Sequence, residues 1–484
     1  MATEPRPTLD EVAALLDSAD VVAVVVDIPT GTLTPVDAMR MLGTDSPCFL
    51  LESAEGREHL ARWSILGHEP VSAIECDGST TDPLDVLQRD VAARRFATID
   101  GLDVPFAGGA VGFLSYEAVR HYERVPHARD VLHIPDAWFG VYDTVVAFDH
   151  VKERVLLIGN VRSDGQGGIA AAYADCVRRL ADLERRLEHV VQPSTPLTRD
   201  GDGVVARAHD DSATMSRDAF FAAVERCHEY ILAGDIFQVQ ISRRFALPLA
   251  GDAFDVYRIL REVNPSPYMF YLATPHGTLV GASPEMLVRV TARDVHYHPI
   301  AGTRRRGRTP DDDARMEAEL RGSEKEAAEH LMLVDLGRND LGRVCATGSV
   351  HVTELMEVER YSHVMHLVSS IEGVLAPGVS SLDALRACFP AGTVTGAPKI
   401  RAMEIIAELE PEARGAYAGA VGYIGWGGNL DTAIALRTLL VRDGIAYAQA
   451  AAGIVADSTA SEEALEIDNK AGAMIQAVAE VNGR

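Results

Sequence analysis

Positive charge is scarce in this sequence. Its 484 residues include 45 Lys and Arg but 71 Asp and Glu, which gives a formal net charge of −26. A nucleic-acid-binding protein needs a basic surface, so this balance argues against nucleic acid as a partner. No apolar run is long enough to cross a bilayer, because the run 21–26 has the length of a strand. No basic amphipathic segment points to a membrane surface either.

Cysteine is also sparse. The six cysteines are scattered, without a CxxC pair and without a Cys/His spacing typical of zinc sites. Reduced, mostly buried thiols are therefore expected. The N-terminus is acidic and lacks the apolar core of a signal peptide. These absences together predict a cytoplasmic protein.

Apolar residues are abundant enough for a large core, at 47% of the chain. The length suggests two or three domain-sized units, although one large fold is an alternative. Residues 191–212 are rich in Pro, Asp, Gly and Thr and form the best linker candidate. This linker divides the chain into an N-terminal region, 1–190, and a C-terminal region, 213–484.

Long successions of predicted strands are interrupted by helices, which favours an α+β fold with large antiparallel sheets. Helices are predicted over 35–42, 169–190 and 363–371. In the predicted strand 236–242, apolar residues alternate with Gln238, Gln240 and Ser242. This polar side lines a cleft or, alternatively, faces solvent.

One predicted helix, 325–337, carries an acidic pair. It contains good helix formers and no Pro, and Gly337 stands where a C-terminal stop is expected. Glu326 and Glu329 are three positions apart and so share one face. A solvated acidic face is the simplest interpretation of this pair.

A second predicted helix, 462–470, repeats the pattern with Glu463, Glu466 and Lys470 on one face. Two helices that each supply a Glu-x-x-Glu pair can together hold a hard cation such as Mg2+, because this ion prefers oxygen ligands. The pattern alone does not show that the two helices meet.

Two glycine-containing stretches have different predicted roles. Residues 389–399 form a Gly/Pro/Thr loop before a predicted helix, and the amides at a helix N-terminus can bind an anion. An ordinary connection is the alternative. Residues 108–117 lack a GxGxxG pattern, which favours close strand packing over a phosphate loop.

Five segments carry a family resemblance: PIAGTRRRG, KEAAEHLMLVDLGRNDLGRV, RYSHVMHLVSSIEG, FPAGTVTGAPKIRAMEII and AGIVADS. In this order they resemble the chorismate-utilising enzymes, and most of all the large subunits of anthranilate synthases. The resemblance covers about residues 34–480. It implies two large antiparallel sheets packed as a sandwich with helices outside.

The implied activity is Mg2+-dependent amination of chorismate at C2 by ammonia. Pyruvate is then eliminated to give anthranilate, as the first step of tryptophan biosynthesis. Related enzymes that add water have Lys where Gln238 stands, and an amide cannot deprotonate water. Aminodeoxychorismate synthases commonly have Lys where Ala301 stands. Alternatives are a 2-amino-2-deoxyisochorismate synthase, an aminodeoxychorismate synthase component I, or a catalytically silent tryptophan sensor.

The resemblance also implies a set of acidic and catalytic residues. Glu329 and Glu466 would bind Mg2+, while Glu326 and Glu463 would hold its waters. A general acid with a raised pKa would protonate the departing C4 hydroxyl, and a histidine would assist pyruvate elimination. These two residues are Glu285 and His366, and Gln238 completes the catalytic group.

The substrate contacts follow from the same resemblance. Thr393 and the amides after it would contact the ring carboxylate of chorismate. The enolpyruvyl carboxylate would bind Arg437, whose guanidinium can hold a carboxylate with two hydrogen bonds. Other implied substrate contacts are Tyr417, Gly453, Lys470, Gly302 and Thr303.

Two partners besides chorismate are implied. No cysteine lies in a Gly-x-Cys-x-Gly elbow, so a separate glutamine amidotransferase subunit, component II, would supply ammonia. Tryptophan would be a feedback inhibitor, bound in an apolar slot with polar groups for its backbone. The implied tryptophan-binding residues are Leu51, Glu52, Ser53, Pro267, Tyr268 and Met269. One departure from the family pattern is Ala451, whose methyl group could crowd the backbone near the substrate.

Overall fold

The computed structural model describes residues 3–53, 62–78, 81–165, 167–188, 210–361 and 364–483. The helices in these ranges are α1 Leu9–Leu16, α2 Pro35–Leu42, α3 Pro83–Leu87, α4 Ile169–Glu188, α5 Arg217–Leu232, α6 Ala253–Val263, α7 Pro310–Arg321, α8 Glu324–Gly342, α9 Ser381–Cys388, α10 Lys399–Leu409 and α11 Ala460–Asn482.

The strands in the same ranges follow in chain order. They are β1 Val21–Pro29, β2 Cys48–Glu52, β3 Trp63–His68, β4 Ser72–Cys76, β5 Phe96–Ala97, β6 Gly109–Leu114, β7 Ala137–Tyr142, β8 Thr144–Asp149, β9 Arg154–Arg162, β10 Gln238–Pro248, β11 Tyr268–Thr274, β12 Gly277–Ser283, β13 Met286–Thr291, β14 Asp294–Tyr297, β15 Ile300–Arg305, β16 His351–Arg360, β17 Val364–Val374, β18 Gly396–Ala397, β19 Ala420–Gly425, β20 Leu430–Ile434, β21 Thr438–Arg442 and β22 Ile445–Ile454.

Two large sheets organise these strands. The larger has 12 strands in the order β18-β10-β22-β21-β12-β11-β2-β3-β8-β9-β1-β5. The smaller has 10 strands in the order β15-β17-β14-β13-β20-β19-β6-β7-β4, and β16 also pairs with β17. Within the described registers the strand pairs are antiparallel, except that β1 and β5 are parallel. The predicted α+β fold with two antiparallel sheets is confirmed.

Apolar layers explain how the sheets pack. Phe49 and Phe270 of the larger sheet meet Phe113, Trp138 and Tyr142 of the smaller sheet in one buried cluster. The rings of Phe49 and Tyr142 cross edge to face with centroids 4.7 Å apart. Helices α4, α6, α10 and α11 pack on the larger sheet, while α3, α8 and α9 pack on the smaller one. The sheets thus form a sandwich with helices outside.

Both halves of the chain build both sheets. Strand β2 of the N-terminal region pairs with β11 of the C-terminal region, and β6 pairs with β19. The two predicted regions therefore share one core. Most of the predicted linker, residues 191–209, lies outside the described residues, and Asp210–Ser212 form a single 3-10 turn.

Local patterns are confirmed where one buried face decides the structure. Helix α2 has the predicted bounds, and its N-cap Thr34 accepts a hydrogen bond from the Asp37 amide at 3.1 Å. The helix predicted from 169 is α4, and its apolar residues Cys176, Leu180, Leu183 and Leu187 are buried on one stripe. In β6, a Cβ on Gly112 would lie 2.0 Å from the Trp138 carbonyl oxygen, as close strand packing requires.

Two local predictions are wrong. Of the segment predicted as a helix over 363–371, residue 363 lies outside the described residues, and 364–371 belong to strand β17, which is paired with β14, β15 and β16. Its apolar spacing suits a helix, but it equally suits a strand buried on both faces. Gly337 does not end α8, which continues to Gly342. A Cβ at position 337 would lie 2.5 Å from the Tyr297 ring, so this glycine allows close packing instead.

The six cysteines are buried and free of disulfides. Among the described residues, no helix is long and apolar enough to span a bilayer.

Candidate active site

The two acidic helices face each other. On α11, the charges of Glu466 and Lys470 act on the Glu329 carboxyl of α8, and the charge of Lys325 on α8 acts on Glu463 of α11. Such mutual influence requires side chains of the two helices to share one cleft. Glu326 and Glu329 are both partly buried, so a fully solvated acidic face is wrong for that pair, and Glu463 on the second helix is buried.

Each carboxylate in this cleft has a different environment. Burial raises the pKa of Glu329 and of Glu463, and neighbouring acids add to the effect. Glu329 accepts a hydrogen bond from the Gln238 amide at 2.9 Å. Glu466 pairs with Lys470 at 2.6 Å, and Glu326 pairs with Arg304 at 3.1 Å. The pairing of Glu326 with an arginine was not anticipated from the sequence.

The acidic side chains of the two helices meet the needs of a divalent cation only in part. No three Asp, Glu, His or Cys side chains converge closely enough to hold a metal ion in the part of the chain that the structure describes. However, the buried Oε2 of Glu463 has no hydrogen-bond partner there. An unpartnered carboxylate oxygen beside other carboxylates fits a hard cation by its chemistry.

Glu285 is a buried carboxyl next to the turn that carries Thr393. It follows β12 and is 5% exposed. Burial raises its pKa to about 8, and the Thr393 hydroxyl, the Ile300 amide and the charge of Lys470 offset this only in part. At neutral pH the side chain is therefore mostly protonated and can donate a proton.

His366 lies on β17 and is kept neutral. Burial and the nearby charge of Arg437 lower its pKa to about 4. Its Nδ1 lies 3.1 Å from the Gly302 carbonyl oxygen and 3.0 Å from the Thr303 hydroxyl. A carbonyl can only accept, so Nδ1 carries the hydrogen and Nε2 keeps a lone pair.

A bulge in β15 brings Gly302 and Thr303 to this histidine. The register shifts between Ala301 and Thr303, and Gly302 has a positive φ of 64°. A Cβ on Gly302 would lie 3.0 Å from a carboxylate oxygen of Glu326. The predicted substrate contacts Gly302 and Thr303 therefore lie between the acidic helix and the histidine.

The polar side of β10 is enclosed. Gln238, Gln240 and Ser242 are all buried, so the solvent-facing alternative is wrong. Gly453 lies opposite Gln240 on β22, and a Cβ there would lie 2.7 Å from the amide nitrogens of both glutamines. The Oε1 of Gln238 is buried without a hydrogen-bond partner among the described residues.

Arg437 is a desolvated cation. Within the described residues no carboxylate lies in ion-pair range of it, and its guanidinium donates to the Asn264 amide oxygen at 3.4 Å. Burial lowers its pKa, because removing the charge from water without a counter-ion is costly. This environment suits an anionic ligand, as predicted from the family resemblance.

Tyr417 and Lys470 converge on one residue of β22. The amide of Ala451 donates to the Tyr417 hydroxyl, and Lys470 Nζ donates to the Ala451 carbonyl at 2.9 Å. Ala451 itself is 2% exposed. The crowding effect of its methyl group stays a prediction.

The loop predicted to bind an anion packs directly on α8. Thr393 lies in a 3-10 turn, Gly392–Val394, and its buried hydroxyl lacks a good hydrogen bond within the described ranges. A Cβ on Gly392 would lie 1.9 Å from a methyl of Leu336 on α8. Behind this turn lies the buried Arg414, which is outside every motif quoted from the sequence and was missed.

The two segments predicted to bind tryptophan are neighbouring strands, since Met269 of β11 lies opposite Glu52 of β2. Glu52 is already paired with Arg261 at 3.1 Å and accepts a bond from Tyr257. Tyr268 contacts Arg289 and Asp431 instead. Of the predicted members, Leu51, Glu52, Tyr268 and Met269 lie on these paired strands, while Ser53 directly follows β2 and Pro267 directly precedes β11.

Comparisons with known proteins show which proteins the chain is similar to. A family model described as chorismate binding enzyme matches residues 46–476. The chain is 47% identical over 472 residues to "Anthranilate synthase component 1" of Streptomyces coelicolor, covering 96% of this chain and 90% of that protein. It is 40% identical over 493 residues to the protein of the same name from Acetivibrio thermocellus, covering 98% of both.

Solved structures give the same picture. Anthranilate synthase component I from Streptococcus pneumoniae superposes with a TM-score of 0.76 at 37% identity, covering 93% of this chain and 99% of that one. The menaquinone-specific isochorismate synthase from Escherichia coli has a TM-score of 0.71 at 18% identity, covering 97% and 98%. The second match shows a shared fold alone.

Proposed function

This chain belongs to the chorismate-binding enzyme family and is an enzyme that acts on chorismate, and from this premise we propose that it is the large subunit of an anthranilate synthase. It would aminate chorismate at C2 with ammonia and then eliminate pyruvate to form anthranilate. Relatives at 40–47% identity over nearly the whole chain support this reaction over others in the family.

The observation that carries the proposal is the amide of Gln238. Its NH2 group donates to Glu329, while its buried oxygen has no partner among the described residues. That oxygen can accept a hydrogen bond from ammonia and orient its lone pair. Neither end of an amide can take a proton from water, which makes a neutral amine the favoured nucleophile.

Proton transfers are assigned to two residues. As ammonia attacks C2, the C4 hydroxyl leaves as water with the proton of Glu285, whose pKa near 8 keeps that proton available. The ammonium formed at C2 returns a proton to the Glu285 carboxylate. A base then takes the C2 proton while the C3–O bond breaks, and the departing enolpyruvate gains a proton at its methylene carbon to become pyruvate. The neutral His366 has an Nε2 lone pair for this stage.

Substrate charge is balanced by the chain and by a metal ion. Arg437 and Tyr417 would hold the enolpyruvyl carboxylate near Gly453, and Thr393 with its turn would contact the ring carboxylate. Mg2+ would be held by Glu329 and Glu466, with Glu326 and Glu463 reached through water. When bound, the ion neutralises the ring carboxylate in a site crowded with acids.

Two regulatory and assembly features belong to the proposal. A separate glutaminase would deliver ammonia, with free ammonium as a poorer source. Tryptophan would inhibit by binding near Leu51 and Tyr268, which lie on neighbouring strands and face the interior between the sheets. Glu52 would not bind the ligand's ammonium group, because it points to the opposite face of the strand, where it is already paired with Arg261 and accepts a hydrogen bond from Tyr257 of α6.

The test is to incubate the purified chain with chorismate, Mg2+ and ammonium at mildly alkaline pH. Anthranilate fluorescence and release of pyruvate in equal amounts are expected. An aminated product without pyruvate would favour a 2-amino-2-deoxyisochorismate synthase. Turnover of neither kind, with tryptophan still bound, would favour the silent sensor.

A further inference from the structure

Arg414 occupies the centre of a buried hydrogen-bond network behind the candidate active site. It lies between α10 and β19 and is 2% exposed. Its guanidinium forms a two-bond ion pair with Glu410, at 2.9 and 2.7 Å. Glu410 in turn accepts bonds from the amide and hydroxyl of Ser242, both at 2.8 Å. Both charges are thus neutralised inside the protein.

The remaining bonds of Arg414 reach backbone atoms of the site. Its guanidinium donates to the Val394 carbonyl at 2.7 Å and to the Gln240 carbonyl at 2.8 Å. Val394 follows Thr393 in the 3-10 turn, and Gln240 lies two residues after Gln238 on β10. These two segments are also joined by the backbone amide of Gln240, which donates to the Thr395 carbonyl at 2.9 Å.

A third wall of the site lies against the same guanidinium. The Arg414 carbon Cζ is 5.7 Å from the centre of the Tyr417 ring and 4.8 Å from that of Tyr116. One side chain therefore contacts the turn with Thr393, the strand with Gln238 and the ring of Tyr417. Its planar fork is needed, since an ammonium group cannot span acceptors in these separate directions.

We infer that Arg414 is a positioning residue, which sets the mutual placement of Thr393, Gln238 and Tyr417 without touching the substrate. This inference deepens the proposed function and rests on it for the kinetic readout only. Small displacements of groups that hold a substrate cost about 10²-fold in rate. The effect of Arg414 should therefore appear in both KM and kcat.

The main variant is Arg414→Lys, which keeps the charge and removes the fork. Its matched control is Arg243→Lys on β10, the strand that carries Gln238 and Gln240. Arg243 is 1% exposed and pairs with Asp210 and the Met215 carbonyl, on the helix-covered face away from the site. The control therefore removes an equally buried guanidinium without touching the turn or Tyr417.

Steady-state kinetics with chorismate and ammonium should show kcat/KM reduced about 10²-fold in Arg414→Lys, with KM for chorismate raised. The control should stay within about threefold of the parent protein. A purely structural role would lower the active fraction, and hence kcat, while leaving KM unchanged. That pattern would overturn the inference.

Hydrogen exchange supplies a readout that needs no turnover. In Arg414→Lys, exchange should become faster in 391–397 and 238–242, and elsewhere it should match the parent. Uniformly faster exchange, or none, would refute the positioning role. A parent chain that makes no anthranilate would refute the proposed function, while the exchange result would still decide this inference.

A charge-neutral variant covers the case in which Arg414→Lys does not fold. Arg414→Met combined with Glu410→Gln leaves no unpaired buried charge and keeps an acceptor for the Ser242 amide. It still lacks donors for the Val394 and Gln240 carbonyls. Local exchange and raised KM are expected again, and parent-like values of both would overturn the inference.

Discussion

Replacing Glu285 with glutamine removes the transferable proton and nearly keeps the size and shape of the side chain. Glutamine has nearly the size of the protonated acid and retains an oxygen that can accept a hydrogen bond from the Ile300 backbone amide. It cannot give up a proton at any pH reached in an assay. If Glu285 is the general acid, the variant should fold well and react slowly, because general acid catalysis contributes about 10²- to 10⁴-fold.

The size of the stability effect follows from the pKa. Burial raises the Glu285 pKa from 4.5 to about 8, so ionising this group in the folded protein costs about 5 kcal/mol more than in the unfolded chain. The folded state holds an extra proton between these two values. Its stability is therefore full below pH 4.5 and falls as pH rises toward 8. At pH 7 the glutamine variant should be more stable by up to about 3 kcal/mol.

Urea unfolding at pH 6 and pH 8 measures this stability, and anthranilate fluorescence at constant free ammonia measures kcat. In the parent protein, kcat should decline on the alkaline side with an apparent pKa near 8. The matched control is Asp143→Asn, another buried carboxyl with a raised pKa, which lies between β7 and β8 away from the site. It should gain stability and keep its kcat. A Glu285→Gln protein that retains more than about a tenth of parental kcat would refute the assignment.

Three further substitutions test other parts of the site. Glu466→Gln should raise the Mg2+ concentration needed for half-maximal turnover at least about tenfold, because a carboxylate ligand is lost; an unchanged Mg2+ titration would remove Glu466 from the metal site. Arg437→Met should raise KM for chorismate by about 10²-fold through loss of a desolvated carboxylate contact, whereas Arg442→Met, at an exposed pair with Asp443, should leave KM unchanged. Gly453→Ala should sharply reduce kcat, since its Cβ would lie 2.7 Å from two glutamine side chains. The control Gly472→Ala in α11 meets nothing within 4 Å, so it should raise the free energy of unfolding in urea by about 1 kcal/mol and leave kcat unchanged. Equal effects of the two alanines would contradict the packing argument.

Local structure was predictable where one periodicity dominated. The amphipathic stripe of α4 and the Thr34 cap of α2 mark those helices in the local sequence, and packing against the rest of the protein stabilises them. Prediction failed for β17, because apolar residues on both faces of a strand imitate the spacing of a helix. It failed again at Gly337, because this glycine allows the Tyr297 ring to pack closely against α8 and does not end the helix.

The residue types of the site were also readable from the chain. The sequence and its family resemblance directly predict acid pairs on one helical face, Gln238 in place of Lys, and Arg437 as a carboxylate contact. Residue type alone, however, leaves their chemistry open. Glu285 is an acid with an ordinary pKa in the unfolded chain, and becomes a proton donor near neutral pH only through burial.

Long-range placement depends on the folded core. Helices α8 and α11 are far apart in the chain, and their carboxylates share a cleft because both helices pack on sheets built from both halves of the protein. Arg414 belongs to no recognised motif, and its importance appears only when Glu410, Val394 and Gln240 surround it. Periodicity and residue chemistry act over a few neighbours, so they determine the elements and the candidate groups. Burial, desolvation and the meeting of distant side chains are collective, and they arise only in the completed sandwich.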